Sequence, residues 1–353
     1  MSLRAHLLAR IASDGPMRLS DFMAEALLHP TMGYYTTRDP LGAAGDFTTA
    51  PEVSQMFGEL LGLCLAQCWL DQGAPGTVTL AELGPGRGTL MADALRATRS
   101  VPGFHAALRL HLVEASPVLR ARQVQALAGW DVTHHDRVET LPEGALLLIA
   151  NEFFDALPIR QFQRSAQGWA ERMVGADGDR LVMGLGTDTH HPALAYRLDD
   201  TRPGDVVEHC PAAGLVMQQI GARIADRGGA ALIVDYGDWR SLGDTFQAVQ
   251  GHAPVDPLAT PGKADLTAHV DFEVLARAAA PAAHTRLTAQ GVFLERLGIT
   301  ARAQALARGM TGTALDAHVA AHRRLTHPGE MGSVFKVMGV YPATAAPPPG
   351  LEP

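Results

Sequence analysis

The chain has 353 residues, 47% of them hydrophobic and 19% charged, a balance that suits a globular enzyme and excludes a disordered or fibrous protein. Its formal net charge of −8 argues against a nucleic-acid backbone as the main partner, because phosphate binding needs a basic face. No apolar run reaches the roughly 18 residues of a membrane span; the longest, around Leu60 to Leu70, is interrupted by Gln67.

In chain order, residues 1 to about 30 read as helical with a break at Asp14-Gly15-Pro16. Arg4 and Arg10 among apolar residues fit an amphipathic helix better than a transit peptide. His29-Pro30 and Gly33-Tyr34-Tyr35 form a turn and an aromatic pair, and residues 36–51 a loop of small residues. A helix is predicted from about Pro51 to Gln72. Within it Cys64 and Cys68, four apart, share a buried face; with three cysteines in all, neither a disulfide framework nor a metal site is expected, and a reduced cytoplasm fits.

From Thr77 strands and helices alternate. Apolar runs end at Leu83, Glu114, about Thr133, Ala150 and Asp235, with helical stretches near 89–99, 116–128 and 211–227. That rhythm predicts an α/β fold with a mostly parallel, doubly wound sheet. Leu146-Leu-Leu-Ile-Ala150 lacks polar alternation, as in a central strand covered on both faces. Period-two runs between about 159 and 205 predict a small antiparallel insertion. Residues 236–270, rich in glycine and proline, read as a long loop. Residues 271–280 and 301–325 read as helical, 333–341 as a last strand, and the Pro/Ala-rich tail 343–353 as mobile. The predicted organisation is an N-terminal extension with a covering loop (1–75), a cofactor domain (76–342) carrying insertions at 159–205 and 236–270, and the tail.

The richest stretch is Glu82-Leu-Gly84-Pro-Gly86-Arg-Gly88-Thr89, a glycine turn between strand and helix. A dinucleotide fingerprint would need its third glycine at position 89, which is Thr. The pattern instead resembles motif I of class I S-adenosylmethionine (SAM) methyltransferases, so Gly84, Gly86 and Gly88 are assigned to SAM. Glu82 would orient the turn or meet the ligand's cationic end. Glu114, ending the second strand, can accept hydrogen bonds from both ribose hydroxyls. Asp136, after the third strand, would reach the adenine amino group. After the fourth strand, Asn151-Glu152-Phe153-Phe154-Asp155 sits where ligands bind in such sheets, and resembles the Asn-Pro-Pro-aromatic signature of amino-group methyltransferases. Glu152 and Asp155 beside Asn151 suit a guanidinium with its five planar donors; the structural alternative is that Asp155 caps a helix and Glu152 is a structural partner.

Together these blocks resemble the MidA-like SAM-dependent methyltransferases. The resemblance runs from about Leu19 to Tyr341. It rests also on Gly45-Asp46-Phe47-Thr48-Thr49-Ala50-Pro51-Glu52, Phe57-Gly58-Glu59, Asp235-Tyr236-Gly237, Ala264–Phe272 and Met331–Lys336. It implies a seven-stranded sheet whose last strand is antiparallel. It implies a loop with Asp46 and Thr48 closing over the cofactor, and an acceptor cleft with His269 and Asp271. Mitochondrial members of the family dimethylate an arginine of a respiratory complex I subunit during assembly, so the implied activity is N-methylation of a protein arginine. Two other readings stay open: a SAM-binding assembly factor acting through protein contacts, and a small-molecule methyltransferase. An NAD-dependent oxidoreductase ranks last because of Thr89.

Overall fold

The structure, a computed structural model, describes residues 2–37 and 48–353. These form two compact units. The larger comprises residues 48–154, 214–239 and 272–353; the smaller comprises 2–37, 155–213 and 240–271. The division cuts across the linear one read from the sequence. The segments 159–205 and 240–270 fold with the N-terminal helices, and residues 48–75 and 236–239 fold with the cofactor domain.

The larger unit is built on β1 (Val78–Leu83), β2 (Leu108–Val113), β3 (Val132–His135), β4 (Leu146–Asn151), β5 (Gly229–Asp238), β6 (Ala283–His284) and β7 (Phe335–Tyr341). Their spatial order is β3-β2-β1-β4-β5-β7-β6. The pairings from β3 through β5 are parallel, and β7 runs antiparallel to both neighbours. β1 and β4 are buried at every position, which is why both read as uninterrupted apolar runs. The order reverses between β1 and β4, and the crevice beyond their carboxyl ends is where open α/β sheets bind ligands.

Helices α1 (Gln55–Asp71), α2 (Thr89–Ala97), α3 (Pro117–Ala126) and α4 (Pro211–Arg227) follow the predicted stretches. Ser54 caps α1 by accepting from Met56 N–H. Twelve of the 17 residues of α1 are buried, including Cys64 and Cys68. Its glycines explain how: a Cβ on Gly58 would lie 2.7 Å from the Leu90 carbonyl oxygen, and one on Gly62 would lie 2.6 Å from Ala94 Cα. The backbones of α1 and α2 approach as closely as missing side chains allow. The predicted helix over 301–325 is two, α5 (Ile299–Leu306) and α6 (Gly312–Thr326), with a break at 307–311.

The tail packs against the larger unit. Leu351 is buried, the Glu352 carbonyl accepts from Arg286 N–H at 2.8 Å, and its carboxylate pairs with Arg296 at 2.8 Å. Prolines remove periodicity but pack well as apolar groups, so composition hid this docking.

In the smaller unit, helices Leu3–Asp14 and Leu19–Leu28 share a core with Tyr34, Val174 and Leu266. The predicted antiparallel insertion consists of Arg160–Arg164, Trp169–Asp177, Arg180–Thr189 and Val206–His209. Residues 236–270 are more ordered than a loop. Gln247–Gln250 pairs antiparallel with Ala253–Val255 on one side and Asp265–Thr267 on the other. Strands of three or four residues leave no readable period, and the glycines and prolines between them dominate the local signal.

Candidate active site

The carboxyl ends of β1, β2 and β4 gather the polar groups of the larger unit. After β1 the chain turns through Gly84, Gly86 and Gly88, with φ of 59°, 54° and 84°. Gly84 lies under Phe153, whose Cδ2 would be 3.2 Å from a Cβ there, and Gly88 faces α3. Such positive φ values are strained for any residue with a side chain, and at Gly84 the Phe153 ring would also have to give way. The Gly84 N–H donates to the Val113 carbonyl at 3.0 Å, which ties the turn to β2. Thr89, where a dinucleotide site would have its third glycine, donates its hydroxyl to Glu52 at 2.6 Å, and Arg87 lies 3.8 Å from the same carboxylate. The segment after Thr48 is thereby fixed to the glycine turn.

Glu82 and Glu114 are 3% and 8% exposed. Burial, then the nearby Glu114 charge, pushes the Glu82 carboxyl up to about 8. Glu82 Oε2 has no hydrogen-bond partner among the described residues. Burial also raises Glu114, against the hydrogen bonds that favour its charged form. Those come from Ser116 N–H to Oε1 at 2.7 Å and Gln123 Nε2 to Oε2 at 3.2 Å.

On β4, Asn151 is buried and its Oδ1 also lacks a partner among the described residues. Glu152 follows with φ +51°, a left-handed conformation that costs a non-glycine residue about 1–3 kcal/mol and that clusters at functional sites. Its Oε1 accepts from Asn151 Nδ2 at 3.2 Å and from Ala50 N–H at 3.3 Å. The fully buried Asp235 of β5 supports the bend by accepting from Phe154 N–H at 3.0 Å.

Residues 60–291 match the family described as "Putative S-adenosyl-L-methionine-dependent methyltransferase". Protein arginine methyltransferase NDUFAF7, mitochondrial, of Danio rerio is 37% identical over 96% of this chain and 86% of its own. The chain belongs to the MidA-like family of SAM-dependent methyltransferases. The Homo sapiens relative of the same name is 35% identical, over 96% of this chain and 82% of its own. A crystal structure of a Burkholderia thailandensis protein bound to S-adenosyl-homocysteine is similar with a TM-score of 0.83 and 31% identity, covering 96% of this chain and 91% of that one.

The cofactor of this MidA-like protein is SAM, and the residues present fit it. Two buried acceptor oxygens, Glu82 Oε2 and Asn151 Oδ1, have no hydrogen-bond partner among the described residues and stand at the ends of β1 and β4. Each would accept from a donor-rich ligand; leaving a buried acceptor unpaired costs about 1–3 kcal/mol. Glu114 accepts from Ser116 N–H, Gln123 Nε2 and the Ala115 backbone, and the roughly four acceptor sites of a carboxylate leave capacity for a ribose hydroxyl.

The other residues singled out in the sequence stand as follows. Asp136 is 81% exposed at its side chain and pairs with Arg120 at 2.6 Å. Thr48 is half-buried just before the helical turn Ala50–Val53. Asp46 lies outside the described residues. Asp155, His269 and Asp271 belong to the smaller unit. There the Asp155 carbonyl accepts from Ala268 N–H at 3.0 Å, and His269 is exposed with its N–H donating to Thr245 Oγ1 at 2.8 Å. Asp271 accepts from Ser241 N–H at 3.2 Å and lies 3.7 Å from Nη1 of Arg197, a buried arginine held by Asp200. Tyr35 donates to Asp265 at 2.6 Å, and burial together with that carboxylate raises its hydroxyl well above the ordinary value. Sequence reasoning missed Gln123, Glu52 and Arg197. Glu52 lay in a block tied to the family, but nothing local linked it to Thr89.

The described residues also bring His6, Glu25 and His29 together at a spacing that a metal would accept. His29 Nδ1 accepts from Thr31 N–H at 3.2 Å, which leaves the proton on Nε2, and Arg10 lies 3.3 Å from Glu25. Both features oppose a cation, and no metal is assigned.

Proposed function

We propose that this protein is a SAM-dependent N-methyltransferase whose acceptor is an arginine of another protein. The observation that carries the reading is the acceptor-rich end of β4. There Asn151 Oδ1, without a partner among the described residues, stands beside the Glu152 carboxylate on a strained backbone, next to the glycine turn. A guanidinium offers planar N–H donors and a permanent charge, and such oxygens complement both. The names of the NDUFAF7 relatives support the same acceptor class.

In this reading Gly84, Gly86 and Gly88 shape the turn against which the cofactor lies, Glu114 grips its ribose, Glu82 faces its amino-acid end, and Asp136, Asp46 and Thr48 complete its surroundings. Bound SAM supplies an electrophilic methyl group on a sulfonium. Asn151 and Glu152 would orient the guanidinium nitrogen, and Glu152 would take up the proton that nitrogen loses. Asp155, His269 and Asp271 are proposed to act on the acceptor side. A respiratory complex I subunit is the proposed acceptor, by the family resemblance alone.

The test is transfer of labelled methyl from SAM into a cell lysate, followed by identification of the modified residue. Label on arginine is expected. It should be lost with Gly86→Val, which places a side chain in the turn and removes SAM binding. It should fall by about a hundredfold with Glu152→Gln, which keeps SAM binding. Label on another residue, or none from a protein that binds SAM, overturns the arginine assignment.

A further inference from the structure

Gln123 is fully buried on α3 and uses its whole amide. Its Nε2 donates to the Gly86 carbonyl at 2.7 Å and to Glu114 Oε2 at 3.2 Å. Its Oε1 lies 2.9 Å from His134 Nε2 on β3. An amide oxygen only accepts, so His134 carries its proton on Nε2. The Gly86 carbonyl can only accept, which fixes the NH2 end of the amide against the glycine turn. Burial, then the nearby Arg120, lowers the His134 pKa.

We infer that Gln123 is the positioning residue that joins the two grips of the SAM site: the backbone turn at Gly86 and the ribose-facing carboxylate of Glu114. The inference rests on the cofactor assignment above. One NH2 group holds the turn in its left-handed conformation and holds Glu114 in a single rotamer. His134 prevents the amide from flipping, which would put an oxygen against both acceptors. The geometry of the cofactor pocket is therefore set from α3 and β3 as well as from the turn itself. Outer contacts of this kind raise affinity by limiting the rearrangement a ligand must drive.

The experiment measures SAM affinity by calorimetry, steady-state methyl transfer and thermal stability for the full chain and its variants. Gln123→Ala should raise the Kd and KM for SAM by about tenfold, with kcat at saturating SAM within about twofold. Gln123→Glu keeps the volume but replaces the donor with an oxygen facing Glu114 and the Gly86 carbonyl. Its loss of affinity should exceed that of Gln123→Ala at pH 8 and shrink at pH 5.5, where the introduced carboxyl can hold a proton and donate. A residue that only fills space would give no such pH slope. His134→Ala, which frees the amide to flip, should weaken SAM by about threefold and serves if Gln123→Ala does not fold. Wild-type affinity in Gln123→Glu at both pH values overturns the inference, provided Gly86→Val has lost SAM. If Gly86→Val binds SAM normally, the cofactor site itself is misassigned.

Discussion

Two glutamates of the larger unit are equally buried and are treated in opposite ways. Glu59, on α1, is 3% exposed and meets cations from two other helices. Arg302 of α5 approaches both its oxygens at 2.7 and 2.9 Å, and Arg96 of α2 lies at 2.9 Å. Those guanidinium groups outweigh burial and lower its pKa. Glu82, at the end of β1, is 3% exposed too; its neighbour is another acid, and its pKa rises to about 8. A carboxylate neutralised from within serves the fold. One whose oxygen has no partner among the described residues, at a strand's carboxyl end, fits the ligand-facing role proposed for Glu82.

The two should also titrate in opposite senses. Glu59, lowered in the fold, contributes stability that is present above the ordinary carboxylate value and is lost as pH falls through its folded pKa. For Glu82 the unfolded chain gives up its proton near 4.5 while the folded protein keeps it until about 8. Stability therefore falls across that window as pH rises.

The largest loss of stability is expected from Glu59→Gln, which leaves two guanidinium groups without their counter-charge. Both arginines are partly exposed and can turn to water, so about 2 kcal/mol should be lost at pH 7. Denaturant unfolding should show that loss shrinking toward acid, with SAM affinity unaffected. A change in SAM binding equal to that of a site variant would break the contrast between fold and ligand.

Glu82→Gln should do the reverse. Its melting temperature should exceed that of the wild type at pH 8 and match it near pH 4.5, while SAM binding weakens several-fold, about the worth of one hydrogen bond to a charged group. A variant less stable at pH 8 would place Glu82 with Glu59 among the structural acids. The smallest effect belongs to Arg302→Lys. It retains charge but loses the two-pronged contact, and should cost about 1 kcal/mol on the same unfolding curve.

How much of this was readable in the sequence depends on where each signal resides. The strands β1, β2, β4 and β5 were legible because burial on both faces writes a local apolar run, and the glycine turn because its backbone forbids other residues. The positions of Glu114 and Asn151 at strand ends were legible; their roles toward the cofactor and acceptor are proposals. The Glu59–Arg302 pair spans 243 residues and leaves no local mark. Gln123 was silent for a related reason: a glutamine on a helix reads as solvent-facing, and only the approach of α3 to Gly88 turns it inward. β6 has two residues, too few for any period, so the strand that completes the seven was legible only through family resemblance.

The notch at Gly58 and Gly62 bears on how the enzyme moves. With α1 seated this deeply on α2, a sliding step of either helix would drive backbone into backbone, and close-packed interiors yield little to such strain. The cradle behind the glycine turn is thus a fixed anvil rather than a hinge. Whatever opening admits and releases substrates must be made by segments that lack such a lock. Enlarging either glycine should stiffen nothing; it should spread the two helices and loosen the grip on the nucleoside.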